Sequence, residues 1–355
     1  MKKILVVDDS ALMRIVLCDI IASDGRFEVA DKANNGQVAL DLLMRKKYDA
    51  VVLDVNMPVM NGLELLEELR KRKIPAKVIM ASTLTSQGAK VTMDALDLGA
   101  LDFVHKPDNA IDCKENTFSE EFLRVLAAAA DSREPVFEAP FDMNKLRDDR
   151  KLVQLVGKHK TGTGSKILAI ASSTGGPKAL QSVIPRLPKD LDCPVLLVQH
   201  MPVGFTKSLA ERLNSLSEVT VTEAVEGETI EKGHVYIAKG GAHMNAVTKM
   251  GKTVIHYTSE PNREGVRPCA NYMYESLADS PYDEVVCVVM TGMGMDGTEG
   301  IVNLKKQKKV HVIAQQESSC AVYGMPRSIV NAGLSDQVVD LDNIAQEIIM
   351  NVGLK

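Results

Sequence analysis

No apolar run in this 355-residue chain approaches the roughly 20 residues that a membrane-spanning helix needs. The start, MKKILVVDDS, sets basic residues before a short apolar run, but Asp8 and Asp9 cut it off before a signal-peptide core can form. A cytoplasmic protein is expected. A basic surplus is also missing: 42 Lys+Arg stand against 47 Asp+Glu, for a net charge of -5, and from Ser165 onward the counts are 18 and 21. A nucleic-acid-binding output domain should carry a basic face, so that class is excluded. The six cysteines (Cys18, Cys113, Cys193, Cys269, Cys287, Cys320) are widely spaced and form no CxxC, which predicts reduced, mostly buried thiols. No HxxxH and no Cys/His cluster points to zinc, and neither GxGxxG nor GxxxxGK[ST] occurs at the Gly-rich turn described next.

What is present is enough chain for two domains, with the 45% hydrophobic and 25% charged content of a globular protein. The stretch around which the rest is organised is Ala171-Ser172-Ser173-Thr174-Gly175-Gly176, between the apolar run Ile167–Ile170 and a helix-like segment from Pro177 to Ile184. A strand that ends at Ser-Thr-Gly-Gly and turns into a helix sets a hydroxyl beside helix-N-terminal N–H groups. On this stretch alone, a nucleophile turn and a phosphate-binding turn fit equally.

Residues 1 to about 124 alternate short apolar runs (Ile4–Val7, Val51–Leu53, Val78–Met80, Phe103-Val104) with amphipathic stretches such as Leu63–Leu69. That pattern describes a parallel sheet covered on both faces, with ligands at the carboxyl ends of the strands. There lie Asp8 and Asp9, Asp54, Ser82 and Lys106-Pro107. Three converging carboxylates repel unless a cation sits among them, and their hard oxygens suit Mg2+. The plainer reading, in which Asp8 and Asp9 merely cap a helix beginning near Ser10, leaves Asp54 and Lys106 at two other strand ends unexplained.

Through VVDDS, LDVNMPVMNG, ASTLT and FVHKP this half resembles the response-regulator receiver domains. The resemblance implies a flavodoxin-like five-stranded parallel sheet. Asp54 would be the phospho-acceptor, and Asp8, Asp9 and the Asn56 backbone carbonyl would join it as metal ligands. Lys106 would be the phosphate's counter-cation, Ser82 the switch hydroxyl and Phe103 the switch aromatic; a register error of one would exchange Ser82 for Thr83.

Residues 125–164, with DSREPVFEAPFD, RDDRK and GKHKTGTG, read as a linker, part of which is expected to pack on a domain. A second, larger α/β domain is expected over 165–353, with strands at Ile167–Ile170, Val195–Val198, Val285–Met290 and Val310–Ile313 and helices at Phe205–Leu216 and Asn271–Leu277. HVYIA and TVIHY, within Gly233–His256, read as an antiparallel insertion near one edge.

Ser173, His200 and Asp296 all follow strands of this second sheet. A serine hydroxyl needs a base, and a histidine base needs a carboxylate to fix its tautomer, so the three types together suggest a Ser-His-Asp hydrolase recognised by geometry and not by chain order. Taken singly, His200 could be a structural histidine and Asp296 a helix cap. His105, His159, His234, His243, His256 and His311 have no equally placed partner. Cys320 reads as core, and Lys305-Lys306-Gln307-Lys308-Lys309 as a solvated helix end, with an acidic partner as the lesser alternative.

Joined to a receiver, ASSTGGPKAL, LLVQHMPVGFTKSLAERLN, GHVYIAKGGAHM, NREGVRPCAN, VMTGMGMDGTEGI and AQQESSCAVYGMPRS resemble the chemotaxis protein-glutamate methylesterases of the CheB family, essentially over the whole chain. The resemblance implies Ser173 as nucleophile, His200 as general base and acid, and Asp296 as its orienting carboxylate. Ser172 matches the preceding family position, and Asn262 and Arg267 a segment near the site. Backbone N–H groups near Thr174 and Met293 are the oxyanion candidates from the turn geometry.

The implied activity is hydrolysis of glutamyl γ-methyl esters on the cytoplasmic helices of chemoreceptors, with deamidation of receptor glutamines as a second reaction. Mg2+ is implied at the receiver and no cofactor for the ester chemistry. A chemotaxis histidine kinase is the implied phosphodonor, and a monomer located at receptor clusters, without nucleic acid or membrane insertion, is expected. The rivals are a transcription-type regulator, excluded by the acidic α/β half, and a receiver fused to a non-catalytic scaffolding or nucleotide-binding domain.

Overall fold

The computed structural model describes residues 1–83, 86–107, 116–134 and 164–354, with no side-chain description for 83, 86–89, 116 and 117. The chain divides into two compact units, Met1–Ala139 and Pro140–Lys355.

In the first unit, β1 (Lys2–Val7), β2 (Phe27–Ala33), β3 (Ala50–Asp54), β4 (Val78–Thr83) and β5 (Asp102–Lys106) pair in parallel in the order β2-β1-β3-β4-β5. Ile4 to Val7 and Ala50 to Leu53 are shielded almost completely from solvent. Each such Val, Leu or Ile contributes about 1.5–3 kcal/mol at most, so both faces need cover. Helices α1 (Ala11–Ala22), α2 (Gly36–Leu43), α3 (Gly62–Arg72), α4 (Ser86–Leu98) and α5 (Asn116–Asp131) supply it. Ser10, not an aspartate, caps α1 by accepting from the Met13 N–H. Asn61 and Glu64 form a reciprocal capping box on α3, which fixes the chain just beyond Asp54.

The five-stranded receiver-like sheet is as expected, but α5 runs past residue 124. Phe122, Val125, Leu126 and Ala127 to Ala130 are all buried, so this Ala-rich turn is domain cover and not linker. Residues 135–163, most of the expected linker, lie outside the described residues, as do His159 and Cys113.

Among its described residues the second unit holds a sheet of seven parallel strands: β6 (Lys166–Ser172), β7 (Val195–Gln199), β8 (Thr220–Glu223), β9 (His234–Ile237), β12 (Glu284–Val289), β13 (Lys309–Gln315) and β14 (Gln337–Val339). Their order is β14-β13-β12-β6-β7-β9-β8. Ile167, Ala169 and Ala171 of β6 pack into a cluster with Met273 and Tyr274 of α8 (Ala270–Ser276), Ile301 of α9 (Thr298–Lys305) and Ile329 of α10 (Met325–Asn331). On the alternate positions Leu168 and Ile170 are equally buried. Helices α6 (Gly176–Val183), α7 (Phe205–Leu216) and α11 (Leu341–Val352) complete the layers, a doubly wound arrangement as expected.

One expectation is corrected. TVIHY does lie in an antiparallel pair, β10 (His243–Lys249) with β11 (Lys252–Thr258), but HVYI is β9 of the main sheet, parallel to β7 and β8. Val235, Tyr236 and Ile237 are buried in succession, the signature of a strand covered on both faces, whereas an antiparallel partner exposed on one side would alternate. From β6 the chain proceeds to β7 on one side and returns as β12 on the other, so a crevice opens at the carboxyl ends of β6 and β12.

Candidate active site

At that crevice β6 stops at Ser172, and Gly175, in the left-handed region at φ 75°, turns the chain into α6. Ser173 therefore sits at the turn itself and is 2% exposed. Its N–H donates to the Thr291 carbonyl at 3.0 Å, and its own carbonyl accepts from Gly176 N–H at 2.7 Å. The loop after β12 leans on it closely: a side chain at Gly292 would put Cβ 2.7 Å from Ser173 Cβ. Thr291 Oγ1 donates to the Thr174 carbonyl at 3.0 Å and ties the two turns together.

His200 follows β7, whose register sets Gln199 opposite Ser172, and its N–H donates to the Ser172 carbonyl at 3.1 Å. Ser173 and His200 are thus neighbouring residues on adjacent strand ends, about 5 Å apart by sheet spacing. The imidazole Nε2 lies 2.7 Å from Asp296 Oδ2. The ring's other nitrogen, Nδ1, is buried without a hydrogen-bond partner. Among the described residues no hydrogen bond joins the Ser173 hydroxyl to the ring.

Asp296 is buried and receives four donors. Oδ2 takes Ala270 N–H at 2.6 Å beside His200, and Oδ1 takes Asn271 N–H at 2.9 Å and Cys269 Sγ at 3.0 Å. Burial alone would raise its pKa, but His200, the Ala270 N–H and the Cys269 thiol outweigh it and hold the carboxyl below its ordinary value. An ionised, acceptor-only group opposite Nε2 requires the proton there, which leaves the Nδ1 lone pair free for proton transfer.

Asn271, also buried, accepts from Gly297 N–H at 3.1 Å and Gly300 N–H at 2.6 Å and so fixes the turn that carries Asp296. The N–H groups of Thr174 and Met293 donate to no acceptor among the described residues.

Gln199 was not assigned a role from sequence, although it ends an apolar strand. Its side chain is buried, donates from Nε2 to the Ser173 carbonyl at 3.0 Å and the His200 carbonyl at 3.1 Å, and accepts from Ser172 Oγ at 2.7 Å. A side chain at Gly176 would collide with this amide. Cys269 and Asn271 were missed for the same reason: only their partners, on a distant segment, reveal them.

Asn262 is exposed, and Arg267 donates to the Glu260 carbonyl at 2.6 Å. Cys320 is buried. His234 pairs with Thr222, His256 with Glu226 and His311 with Gln337. His105 lies on β5, and His243 is buried beside Tyr272. Lys305 and Lys308 of the lysine run donate to the Leu334, Ser280 and Tyr282 carbonyls, and Lys306 and Lys309 to Asn303 and Glu284, as a helix end does.

In the first unit, carboxylate oxygens of Asp8, Asp9 and Asp54 lie within 4.8 Å of one another. Lys106 Nζ donates to Asp8 Oδ2 at 2.9 Å and to Asp54 Oδ1. Burial raises the Asp54 pKa, Lys106 opposes and Asp8 adds to the rise. Burial would lower Lys106, but Asp54 and Asp8 overcome it and hold the ammonium above its ordinary value. Three carboxylates against one ammonium leave surplus negative charge in a set of hard oxygens, which fits a divalent cation. Ser82 and Phe103 are buried on β4 and β5, with Ser82 opposite His105. Asn56 is exposed just past Asp54, and the Thr83 side chain lies outside the described residues. No described helix is long and apolar enough to cross a membrane.

Comparison with known proteins accords with both units. Residues 168–348 match the family described as CheB methylesterase, and residues 4–116 the response regulator receiver domain. A protein-glutamate methylesterase/protein-glutamine glutaminase of Pyrococcus horikoshii is 43% identical over 352 residues, covering 99% of this chain and 93% of its own. A protein of that name, numbered 1, from Syntrophomonas wolfei is 41% identical over 362 residues, covering 98% of each. The crystal structure of the Thermotoga maritima CheB methylesterase catalytic domain is 41% identical with a TM-score of 0.51, covering 53% of this chain and 98% of that one. The chain belongs to the CheB methylesterase family, with a response regulator receiver domain as its N-terminal unit.

Proposed function

We propose that the protein hydrolyses glutamate γ-methyl esters on chemoreceptor cytoplasmic helices, releasing methanol, and deamidates receptor glutamines through the same acyl intermediate. The observation that carries this is the His200 ring, held through Nε2 by a saturated Asp296 while Nδ1 stays buried and unpaired next to the strand end bearing Ser173. Ser173 Oγ attacks the ester carbonyl as its proton passes to Nδ1. The tetrahedral oxyanion is met by the Thr174 and Met293 N–H groups, a contact made only as charge develops. Nδ1–H then protonates the departing methoxide, and water, losing a proton to Nδ1, cleaves the acyl-enzyme to restore Ser173 and leave glutamate. The carboxamide carbonyl is less electrophilic than the ester's, and its nitrogen has to be protonated by Nδ1–H before it leaves as ammonia, so deamidation is slower.

The receiver regulates this activity. Asp54 takes the phosphoryl group from a chemotaxis histidine kinase. Asp8, Asp9, Asp54 and the Asn56 carbonyl would hold Mg2+, which would supply positive charge against the phosphoryl group. Lys106 pairs with the same group, Ser82 is drawn toward it and Phe103 repacks. A coupling of about 1.4 kcal/mol between phosphorylation and turnover would already change activity tenfold. The protein is a cytoplasmic monomer recruited to receptor clusters. The direct test is methanol release from methylated receptor membranes: the wild-type protein releases it, and Ser173→Ala does not. Equal release by the two would refute the reading.

A further inference from the structure

Among the four donors on Asp296, one is a thiol. Cys269 is fully buried and places Sγ 3.0 Å from Oδ1. Asn271 N–H shares that oxygen, while Oδ2 is shared by Ala270 N–H and His200 Nε2. Against an ionised carboxylate this thiol has to be the donor, since a thiolate would set two anions together away from water. Burial, reinforced by the neighbouring Asp296, keeps the Cys269 pKa far above its usual range, so the proton stays on sulfur. The two backbone N–H groups hold the carboxylate whatever side chain stands at 269. The thiol is the one donor on Oδ1 that a substitution removes without moving the backbone.

We propose that Cys269 is a positioning residue for the hydrolytic reaction, its S–H drawing charge onto Oδ1 and so setting how much negative charge His200 meets at Oδ2. The proposal rests on the triad reading above. Without the thiol, more of the carboxylate charge faces the ring. The imidazolium is then favoured, and a higher pH is needed before Nδ1 is free to act as base. Oδ1 also loses one of its two anchors, so the plane of the carboxylate is held less firmly against Nε2. On the helix that supplies the backbone donors, Tyr274, kept a neutral phenol mainly by burial, and Glu275 both feel the charge of Asp296. A change at 269 leaves both in place.

The test uses the full-length protein and reads the nucleophile without needing a receptor: the rate at which a fluorophosphonate labels Ser173, measured across pH. Thermal midpoints confirm that each variant is folded. Cys269→Ala should label roughly three- to tenfold more slowly near neutral pH, with its acid limb moved to higher pH, as expected for the loss of one hydrogen bond to a charged group. Cys269→Ser, whose O–H still donates, should restore both rate and profile. If Cys269→Ala does not fold, Cys269→Val fills the space without a donor and is read in the same way. An unchanged rate and profile in the donor-free variant, or a loss shared equally by Cys269→Ser, overturns the role of the thiol and leaves the triad standing. If wild-type Ser173 is not labelled at all, the triad reading fails and this proposal falls with it.

Discussion

Asp296→Asn exchanges an acceptor-only group for one that must point a donor somewhere, at a position where every neighbour is already a donor. If the amide oxygen keeps His200 and Ala270 N–H, the NH2 meets the Cys269 thiol and Asn271 N–H, which in the wild type lie 3.0 and 2.9 Å from Oδ1. If the amide turns over, the NH2 faces His200 Nε2, now 2.7 Å from Oδ2, and the ring has to accept there and carry its proton on Nδ1. The first arrangement leaves buried donors unsatisfied, at about 1–3 kcal/mol. The second also removes the base, because Nδ1 no longer has a lone pair to offer. The wrong tautomer costs on the order of 10⁴ in turnover in Ser-His-Asp triads.

Methanol release by Asp296→Asn should therefore fall about 10³- to 10⁴-fold in kcat with little change in KM. Its thermal midpoint should drop by roughly 2–12 °C for a unit of this size. The pH dependence supplies a second readout. Asp296 is held below its ordinary pKa in the fold, so the stability it contributes is fully present above the unfolded value, about 3.9, and is lost as pH falls through the folded one. The Asn variant should lack that segment of the acid denaturation profile. Turnover within a few-fold of wild type in a folded variant would refute the tautomer argument.

Ser173→Ala and His200→Gln should each abolish most of the esterase rate, and the double variant should be little worse than Ser173→Ala alone, since a triad acts as a unit; losses that multiply in the methanol assay would contradict it. A small phosphodonor with Mg2+ should activate the full-length protein, and Asp54→Asn should keep basal turnover while losing that response; a response that persists in Asp54→Asn would remove the acceptor role from this residue. His243 is buried as the neutral ring, its pKa lowered by burial and then by Arg267, so it stabilises the fold above about pH 6.5 and that contribution fades as pH drops below it. His243→Gln should flatten the decline of the thermal midpoint between pH 7 and 5, whose slope from one proton is at most about 1.4 kcal/mol per pH unit; parallel slopes would show that the ring is not the group responsible.

How much of this could be read from the chain follows from where each residue's partners lie. Central strands such as Ile167–Ile170 and Val51–Leu53 are buried on both faces and announce themselves as unbroken apolar runs. The edge strand Phe27–Ala33 is buried only at its ends, with Glu28, Asp31 and Lys32 between, and the edge strands Thr220–Glu223 and Gln337–Val339 are similarly mixed, so no apolar run marks them. HVYI was misplaced because a short apolar run does not carry its own direction of pairing; the parallel register with Val195–Leu197 comes from elsewhere in the chain. The same division separates Ser173, His200 and Asp296 from the residues that hold them. A reactive side chain after an apolar strand is visible as a type at a place. A residue such as Gln199 is defined by what it bonds: the Ser173 carbonyl 26 positions away, the His200 carbonyl and the Ser172 hydroxyl. Its amide fills the space where a Gly176 side chain would stand, so the second glycine of the turn is required by a residue on the neighbouring strand and not by its own backbone, whose φ lies outside the left-handed region. Sequence alone attributes both glycines to the turn, whereas the packing assigns one to chain reversal and the other to room for the group that links nucleophile to base.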